Sequence, residues 1–384
     1  MKNPKAIIIG GGIGGLMTAI ALNKKGISST IYERTKSFDV NGAGLGLWAN
    51  ATRILDQFGL LENLLTRGSV LNEMKTSTAN GNPLNVVRLK KLEDKFHFPS
   101  LVLLRRDLQK ELFDAVPSSQ IHFDKQCIKV ENKSVETIVH FADGTSETAD
   151  VFIFADGVHS IARKEVFNLL PLKYSGRTSW RGIAQFDKPI FENNSCYEIF
   201  GKGSRIGIFP LPNNQAYWYA AVNMAEEETA KQKRTIDCVL SHFKNWAEPV
   251  KTLMENTSEE KLVLTKINYA TDIHTLAKGN IALLGDAAHP MTPDLGQGAC
   301  QAIEDAYVLA ECLAQEKSIE ENLKDYANKR LQRVRSIAKN SFRMGNIRQM
   351  KNPVALAIRN NLFKIMPESF ALKMLERNIH IPRE

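Results

Sequence analysis

Short unbroken apolar runs alternate along the chain with segments in which apolar residues recur every three to four positions. Lys5–Ile9 is an apolar, β-branched run of the kind that forms a strand buried on both faces. Leu16, Ala19, Ile20 and Leu22 then fall at helical spacing up to Lys25, and Gly26 suits the helix end. Ile27–Tyr32 reads as a second strand. Further on, the pattern predicts a helix over Ala49–Leu65, strands through Val86 and over Leu101–Leu104, and a hairpin in which Val135–Phe141 turns at Asp143-Gly144 and feeds Thr148–Phe154. From Thr178 to Met224 the alternation is that of β-structure, clearest at Arg205–Phe209 and Ala216–Val222. Ile281–Leu284 returns to a buried strand, and everything after Gly298 is largely helical.

This order predicts an α/β fold whose Rossmann-like, nucleotide-binding parts lie at both ends of the chain and enclose a β-rich insertion. The expected boundaries are 1–75, 98–172 and 270–335 for the first domain, 76–97 with 173–269 for the second, and 336–384 for C-terminal helices. Length allows two domains, and 43% hydrophobic with 24% charged residues is ordinary for a soluble globular protein. No apolar run approaches the roughly 20 residues of a membrane span, and a strand almost at the N-terminus leaves no room for a secretory signal. Cys127, Cys196, Cys238, Cys300 and Cys312 are scattered and contain no C-x-x-C, so a reducing cytoplasm and no zinc are expected; the eight His show no ligand spacing. The net charge of +8 is concentrated in Lys324–Lys351, which holds nine Lys/Arg against Asp325. Leu331, Val334, Ala338 and Phe342 form an apolar stripe there, so a solvated surface helix is the plain expectation, with steering of an anionic substrate or nicotinamide phosphate as the functional one. Without aromatic interleaving or a lipidation signal, the segment is not expected to bind nucleic acid or a membrane.

Three motifs carry chemistry. Gly10-Gly11-Gly12-Ile13-Gly14-Gly15 joins the first strand to the first helix, and Glu33 ends the second strand, 18 residues after Gly15. In such a unit Gly10 makes the tight turn, Gly12 lets backbone approach a pyrophosphate, Gly15 permits close helix–strand packing, and Glu33 accepts from ribose hydroxyls. The second motif, Ala155-Asp156-Gly157-Val158-His159-Ser160-Ile161-Ala162-Arg163, again ends a buried strand in an acid and a glycine, with Ser160 placed to cap a helix. The third, Gly285 to Gly298, sets Asp286 at a strand end and Gly296-Gln297-Gly298 before a helix. A glycine turn opening a helix offers bare N–H groups and a positive dipole end to an electron-rich group. The first motif does not separate FAD from NAD, but the three together indicate a bound flavin and an oxidoreductase.

In this order and spacing the motifs resemble the single-component FAD-dependent aromatic hydroxylases, which share the para-hydroxybenzoate hydroxylase fold. The likeness runs from Ala6 to about Arg335. Thr292-Pro293-Asp294-Leu295-Gly296-Gln297-Gly298 and Gly201-Lys202-Gly203-Ser204-Arg205 narrow it to the branch of urate hydroxylases, zeaxanthin-epoxidase-like and salicylate-hydroxylase-like enzymes. The resemblance implies an FAD site built from Gly10, Gly12, Ile13, Gly14, Gly15, Glu33, Arg34, Gly46, Arg105, Cys127, Asp156, Gly157, Asp286, Gly296, Gln297 and Gly298. It also implies a transient NADH or NADPH, activation of O2 at the flavin, and oxygen transfer to a small aromatic or heteroaromatic substrate by a monomer or homodimer.

For the substrate, the resemblance singles out Arg205, Tyr217 and Asp294, with Pro293 offering a backbone carbonyl near the reacting ring. An Arg and a Tyr suit an anionic, carbonyl-rich heterocycle, and an Asp beside them could orient or deprotonate it. A structural ion pair is the competing role for Arg205. His289 reads as structural, and Trp48 and Trp180 as packing residues near the cavity, with Arg181 beside them. Trp48-Ala49-Asn50 lacks the proline that many relatives carry before Asn, and Trp180-Arg181-Gly182 differs from the corresponding stretch of urate hydroxylases, so urate is one candidate among several. A flavin oxidoreductase that inserts no oxygen stays open, as does a flavin-holding partner-binding protein.

Overall fold

Short parallel strands place the three motifs side by side in the computed structural model, which describes residues 4–38, 43–132, 136–192 and 194–379. Val135 of the expected hairpin lies outside those residues. Ala6–Ile9 is the centre of a six-stranded sheet, flanked by Ser29–Tyr32 and Val151–Phe154, with Ile281–Leu283 next to the latter, all parallel. Ile9 is level with both Tyr32 and Phe154, and Phe154 with Leu283. Every residue of Ala6–Ile9, Val151–Phe154 and Ile281–Leu283 is buried, as unbroken apolar runs require when helices cover both faces. The carboxyl ends of three adjacent strands therefore deliver Gly10, Ala155-Asp156-Gly157 and Leu284-Gly285-Asp286 to one rim. Ligands of open α/β sheets bind at such a rim.

The helices Ile13–Lys24 and Gly298–Leu313 pack against each other beside this rim. Gly15 explains the close approach of the first: a Cβ there would lie 1.9 Å from the Gly10 carbonyl oxygen. Gly10 has φ +107°, and its own Cβ would meet the Ala155 carbonyl oxygen at 2.6 Å.

A second, seven-stranded sheet runs in the order Val263–Tyr269, Lys173–Gln185, Gln215–Asn223, Ser204–Leu211, Ser195–Phe200, Glu73–Thr78, Pro83–Arg88. Its strands come from both stretches expected in the insertion. Glu73–Thr78 joins Ser195–Phe200 in parallel, with Thr76 level with Glu198. Its own core contains Trp180, Trp218, Phe243 and Leu253. Trp180 is thus a packing residue, whereas half-buried Trp48 packs between the other two cores.

Three sequence expectations are corrected. The helix expected over Ala49–Leu65 is two, Ala49–Gln57 and Leu61–Arg67, because Gly59 takes a left-handed conformation at φ +70°. The Thr148–Phe154 run divides: Ser146–Thr148 pairs with Thr137–Phe141 in a small separate sheet, and Val151–Phe154 enters the main one. The basic segment lies on an unbroken helix, Ile319–Arg348, which passes through the boundary expected at 335. It is not simply a solvated face. Arg330 is 2% exposed and its guanidinium is held by Asp305 at 2.7 Å and Glu304 at 2.6 Å. Lys324, Lys329, Arg335, Lys339 and Arg343 do stay exposed. Two further helices, Pro353–Ile365 and Glu368–Ile379, follow and contact the Pro83–Arg88 edge of the second sheet. Among the described residues, no helix is long and apolar enough to cross a membrane.

Candidate cofactor and substrate site

At the rim of the first sheet, two helices begin without side-chain caps and without an acid in the first turn: Ile13–Lys24 after Gly12, and Gly298–Leu313 after Gln297. Their first N–H groups are thus left for a ligand. Built Cβ atoms show where the space is. At Gly12, Gly46, Gly157 and Gly298 a Cβ would touch nothing within 4 Å, whereas Gly10, Gly14 and Gly15 are closed off by protein. Open glycines at the helix starts, with crowded ones behind them, make a cradle that fits a pyrophosphate-bearing nucleotide.

The acids at the rim differ. Glu33 accepts from Gly11 N at 2.6 Å and Thr35 N at 3.0 Å, so its carboxylate is fixed beside the glycine loop. Asp156 accepts from Ile161 N at 3.0 Å through Oδ2, while its buried Oδ1 has no partner. Burial pushes its carboxyl up to about 6, against the hydrogen bonds to Ser160 and Ile161. An orphaned, half-desolvated acceptor of this kind suits a ligand hydroxyl. Ser160 caps the helix Ile161–Glu165 through Arg163 N at 3.3 Å. Asp286, Arg34 and Arg105 are exposed on the rim segments, Ile13 is buried, and Cys127 is a buried thiol raised to about 12, chiefly by burial and then by nearby Asp156.

The Pro293–Leu295 turn ends in Gly296 at φ +63°, where a Cβ would press on the Trp48 Nε1 at 3.0 Å. Pro293 and Gly296 are exposed there, whereas the Gln297 side chain turns inward, accepting from Asn50 at 3.1 Å and Gln301 at 2.9 Å. What Gln297 can offer a ligand is its backbone.

The second sheet faces this turn with Arg205, Tyr217 and Tyr219. Arg205 is level with Ala221, Gly207 with Tyr219, and Phe209 with Tyr217, so all these residues share one face. The alternating runs around Arg205 and Tyr217 pair as an antiparallel hairpin, but Tyr219 stands between Arg205 and Tyr217. Its ring lies 5.0 Å from the Arg205 guanidinium and its hydroxyl donates to Glu198 at 2.5 Å. Tyr217 instead packs against Gly44, where any Cβ would enter its ring. Arg205 is 1% exposed and donates to Asp294 Oδ1 at 2.6 Å; Arg177 donates to both Asp294 oxygens at 3.0 Å. Burial alone would disfavour the Arg205 charge, but Tyr219, Asp294 and Glu198 outweigh it and hold the guanidinium charged. Burial lowers Arg177. Among the described residues, Nε of Arg205 and Nε and Nη2 of Arg177 are buried donors with no hydrogen-bond partner, and Arg205 Nη1 meets Glu198 Oε2 only as an ion pair at 3.5 Å.

This architecture recurs in known proteins. A profile of the FAD binding domain family matches residues 4–341. The chain belongs to the FAD-dependent aromatic hydroxylases. Aurachin C monooxygenase/isomerase of Stigmatella aurantiaca is 30% identical to it over 373 residues, 97% of each chain. FAD-dependent urate hydroxylase of Klebsiella pneumoniae subsp. pneumoniae is 31% identical over 336 residues, 87% of each. The crystal structure of Klebsiella pneumoniae HpxO with FAD and uric acid superposes with a TM-score of 0.91 at 28% identity, covering 98% of this chain and 96% of that one. The protein is a flavoprotein monooxygenase with FAD as cofactor and NAD(P)H as reductant.

Several residues of this hydroxylase escaped the sequence reading. Tyr219 had a usable signal, two positions from Tyr217 on an alternating strand. Arg177, Glu198 and Arg348 had none, because their partners lie far away in the chain; Arg348 donates to the Asp294 carbonyl at 2.8 Å. Gly345, within the long helix, has no Cβ where Arg177 and Asp294 meet: one built there would lie 1.7 Å from Arg177 Nη1 and 2.4 Å from Asp294 Oδ2. His289 binds Asp305 at 2.6 Å, and Asp305 also accepts from Gly285 N at 2.9 Å, so that histidine braces the third motif.

Proposed function

We propose that this hydroxylase binds a small aromatic or heteroaromatic substrate between the Arg205–Tyr217–Tyr219 face and the Pro293–Gly298 turn, and inserts one oxygen atom from O2. The three unpartnered guanidinium donors around Asp294 carry this reading. A buried donor without a partner is costly, by about 1–3 kcal/mol, and a carbonyl or oxyanion of a bound ring would satisfy it. The flavin, once reduced, supplies the activated oxygen; the chain's part is to hold the ring, keep water out and balance charge. Gly10, Gly12, Ile13, Gly14 and Gly15 would hold the pyrophosphate, Glu33 and Arg34 the adenosine end, and Gly46, Arg105, Cys127, Asp156, Gly157 and Asp286 the remainder. The N–H groups of Gln297 and Gly298 would serve the flavin ring, where a helix start favours the anionic reduced form, whereas the Gly296 N–H is already donated to the Pro293 carbonyl at 3.0 Å. Asp294, gripped by Arg177 and Arg205, positions the Arg205 guanidinium. Pro293 presents its carbonyl to the substrate.

The division of labour follows the two sheets: the six-stranded sheet with its helices would hold FAD, and the seven-stranded sheet, including Glu73–Thr78, would roof the ring. The enzyme works in the cytoplasm, where its free thiols stay reduced, as monomer or homodimer. Urate is the first compound to test, because relatives are urate hydroxylases. The test is a panel of urate, salicylate-like acids and hydroxypyridines, scored by stimulated NADH and NADPH oxidation and by incorporation of oxygen-18 from O2. Arg205→Ala is expected to raise the KM of the accepted substrate at least tenfold with FAD retained. Turnover without oxygen-18 in the product would refute the reading, and loss of FAD from Arg205→Ala would make that residue structural.

A further inference from the structure

Beside the charged cluster the same sheet face continues into a cleft with a cavity volume of about 80 Å³. Registers place its walls: Thr76 is level with Glu198 and Asn85, and Met74 with Cys196 and Val87, so Met74, Thr76, Asn85, Val87 and Glu198 all project from the face that carries Tyr219 and Arg205. Leu295, directly after Asp294, closes the end nearest the flavin turn. Met344 of the long helix, Phe363, Met374 and Leu375 of the two C-terminal helices, and Met366 in the turn between them form the opposite wall.

The cleft is not a packing flaw. Protein interiors seldom keep voids larger than a water, and about 80 Å³ is several times the roughly 10–15 Å³ that one water needs. Four methionines line it, and unbranched thioethers re-pack around irregular apolar guests. Its polarity has a direction. Among the described residues, Arg348 Nε and Asn85 Oδ1 are buried polar atoms without hydrogen-bond partners, and Glu198 Oε2 meets Arg205 Nη1 only as an ion pair at 3.5 Å; Glu198 and Arg348 adjoin the Arg205–Asp294 cluster, while the wall of C-terminal helices is apolar apart from Asn378.

We infer that the substrate carries an apolar arm of several carbons, which lodges in this methionine-lined cleft while its polar ring stays at Arg205 and Tyr219. The inference rests on the hydroxylase reading of the Arg205 face. A compact polar ring such as urate would fill only the polar end. Phe363 and Met366 make the arm's length and branching a determinant of specificity.

The test uses FAD-loaded enzyme and a matched pair of electron-rich rings, resorcinol and 4-hexylresorcinol, with binding read from the perturbation of flavin absorbance in the absence of NAD(P)H. Each buried methylene adds up to about fourfold in affinity. The hexyl compound is therefore expected to bind at least about 30-fold tighter than resorcinol. Met366→Glu is expected to weaken hexylresorcinol binding at least tenfold with FAD content unchanged. Met366→Leu, which keeps the wall apolar, should preserve the preference and so separates lost arm binding from general damage. Equal affinity for the two probes, no binding of hexylresorcinol, or an unchanged preference in Met366→Glu would overturn the inference. Because no turnover is involved, a failure to insert oxygen would count against the hydroxylase reading and not against the cleft.

Discussion

Gly345→Ala should destabilise the protein although it lies in the Ile319–Arg348 helix. By helix propensity alone, alanine in place of glycine in a helix interior stabilises by about 1 kcal/mol. Here the new methyl would fall 1.7 Å from Arg177 Nη1 and 2.4 Å from Asp294 Oδ2. The first distance is roughly half an ordinary contact, so the pair must separate from the helix. Arg177 would lose its two 3.0 Å bonds to Asp294 in a fully buried setting. Breaking such a pair costs about 3–5 kcal/mol, because a desolvated charge is left unmatched. Arg205 still holds Asp294 from the other side, so the lower part of that range applies. After the propensity gain, a net loss of about 2–3 kcal/mol is expected. The assay is urea denaturation of the FAD-loaded protein followed by circular dichroism. Arg177→Met should largely absorb the effect: in a double-mutant cycle the two changes should couple by more than about 1 kcal/mol. A midpoint for Gly345→Ala equal to or above wild type would refute the reasoning.

Asp156 should give the apoprotein a distinctive pH dependence. Its carboxyl is raised to about 6 from 3.8, so between those values the folded chain holds a proton that the unfolded chain has lost, and stability falls as pH rises through that window. Asp156→Asn should therefore stabilise the apoprotein at pH 7.5 and do so much less at pH 4; an equal effect at both would exclude the assigned burial. Arg330→Met should remove the cation between Glu304 and Asp305, with a loss of about 3–5 kcal/mol. Because Asp305 also holds Gly285 N, FAD affinity should fall with it; a variant with wild-type denaturation midpoint and FAD content would contradict that coupling.

What the sequence made legible was what is local. Gly10, Gly15 and Asp156 act within a strand, a turn and a helix start, so spacing alone announces them. The alternation at Arg205–Phe209 and Ala216–Val222 likewise shows a hairpin before any coordinates exist. What stayed hidden depends on partners distant in the chain. Glu73–Thr78 gives no sign that it will pair with Ser195–Phe200, and without that pairing the cleft beside Glu198 has no wall. The nine cations of Lys324–Lys351 read as a solvated face because Glu304 and Asp305, which neutralise Arg330, lie on the preceding helix. Gly345 reads as a helix weakness until Arg177 and Asp294 are seen where its side chain would be. The Ala49–Leu65 helix failed for a local reason, since Gly59 ends a helix whose apolar period continues past it.

The account depends on one claim: that glycine-lined strand ends from three regions of the chain close around a single flavin. The direct measurement is FAD content per chain after reconstitution, in wild type and in Gly12→Asp, whose carboxylate would enter the open space at the first helix start. Wild type should hold FAD at unit stoichiometry, and Gly12→Asp should stay folded by circular dichroism yet hold almost none. A wild-type protein that remains colourless in excess FAD, or a Gly12→Asp variant that binds it as well as wild type, would contradict the account.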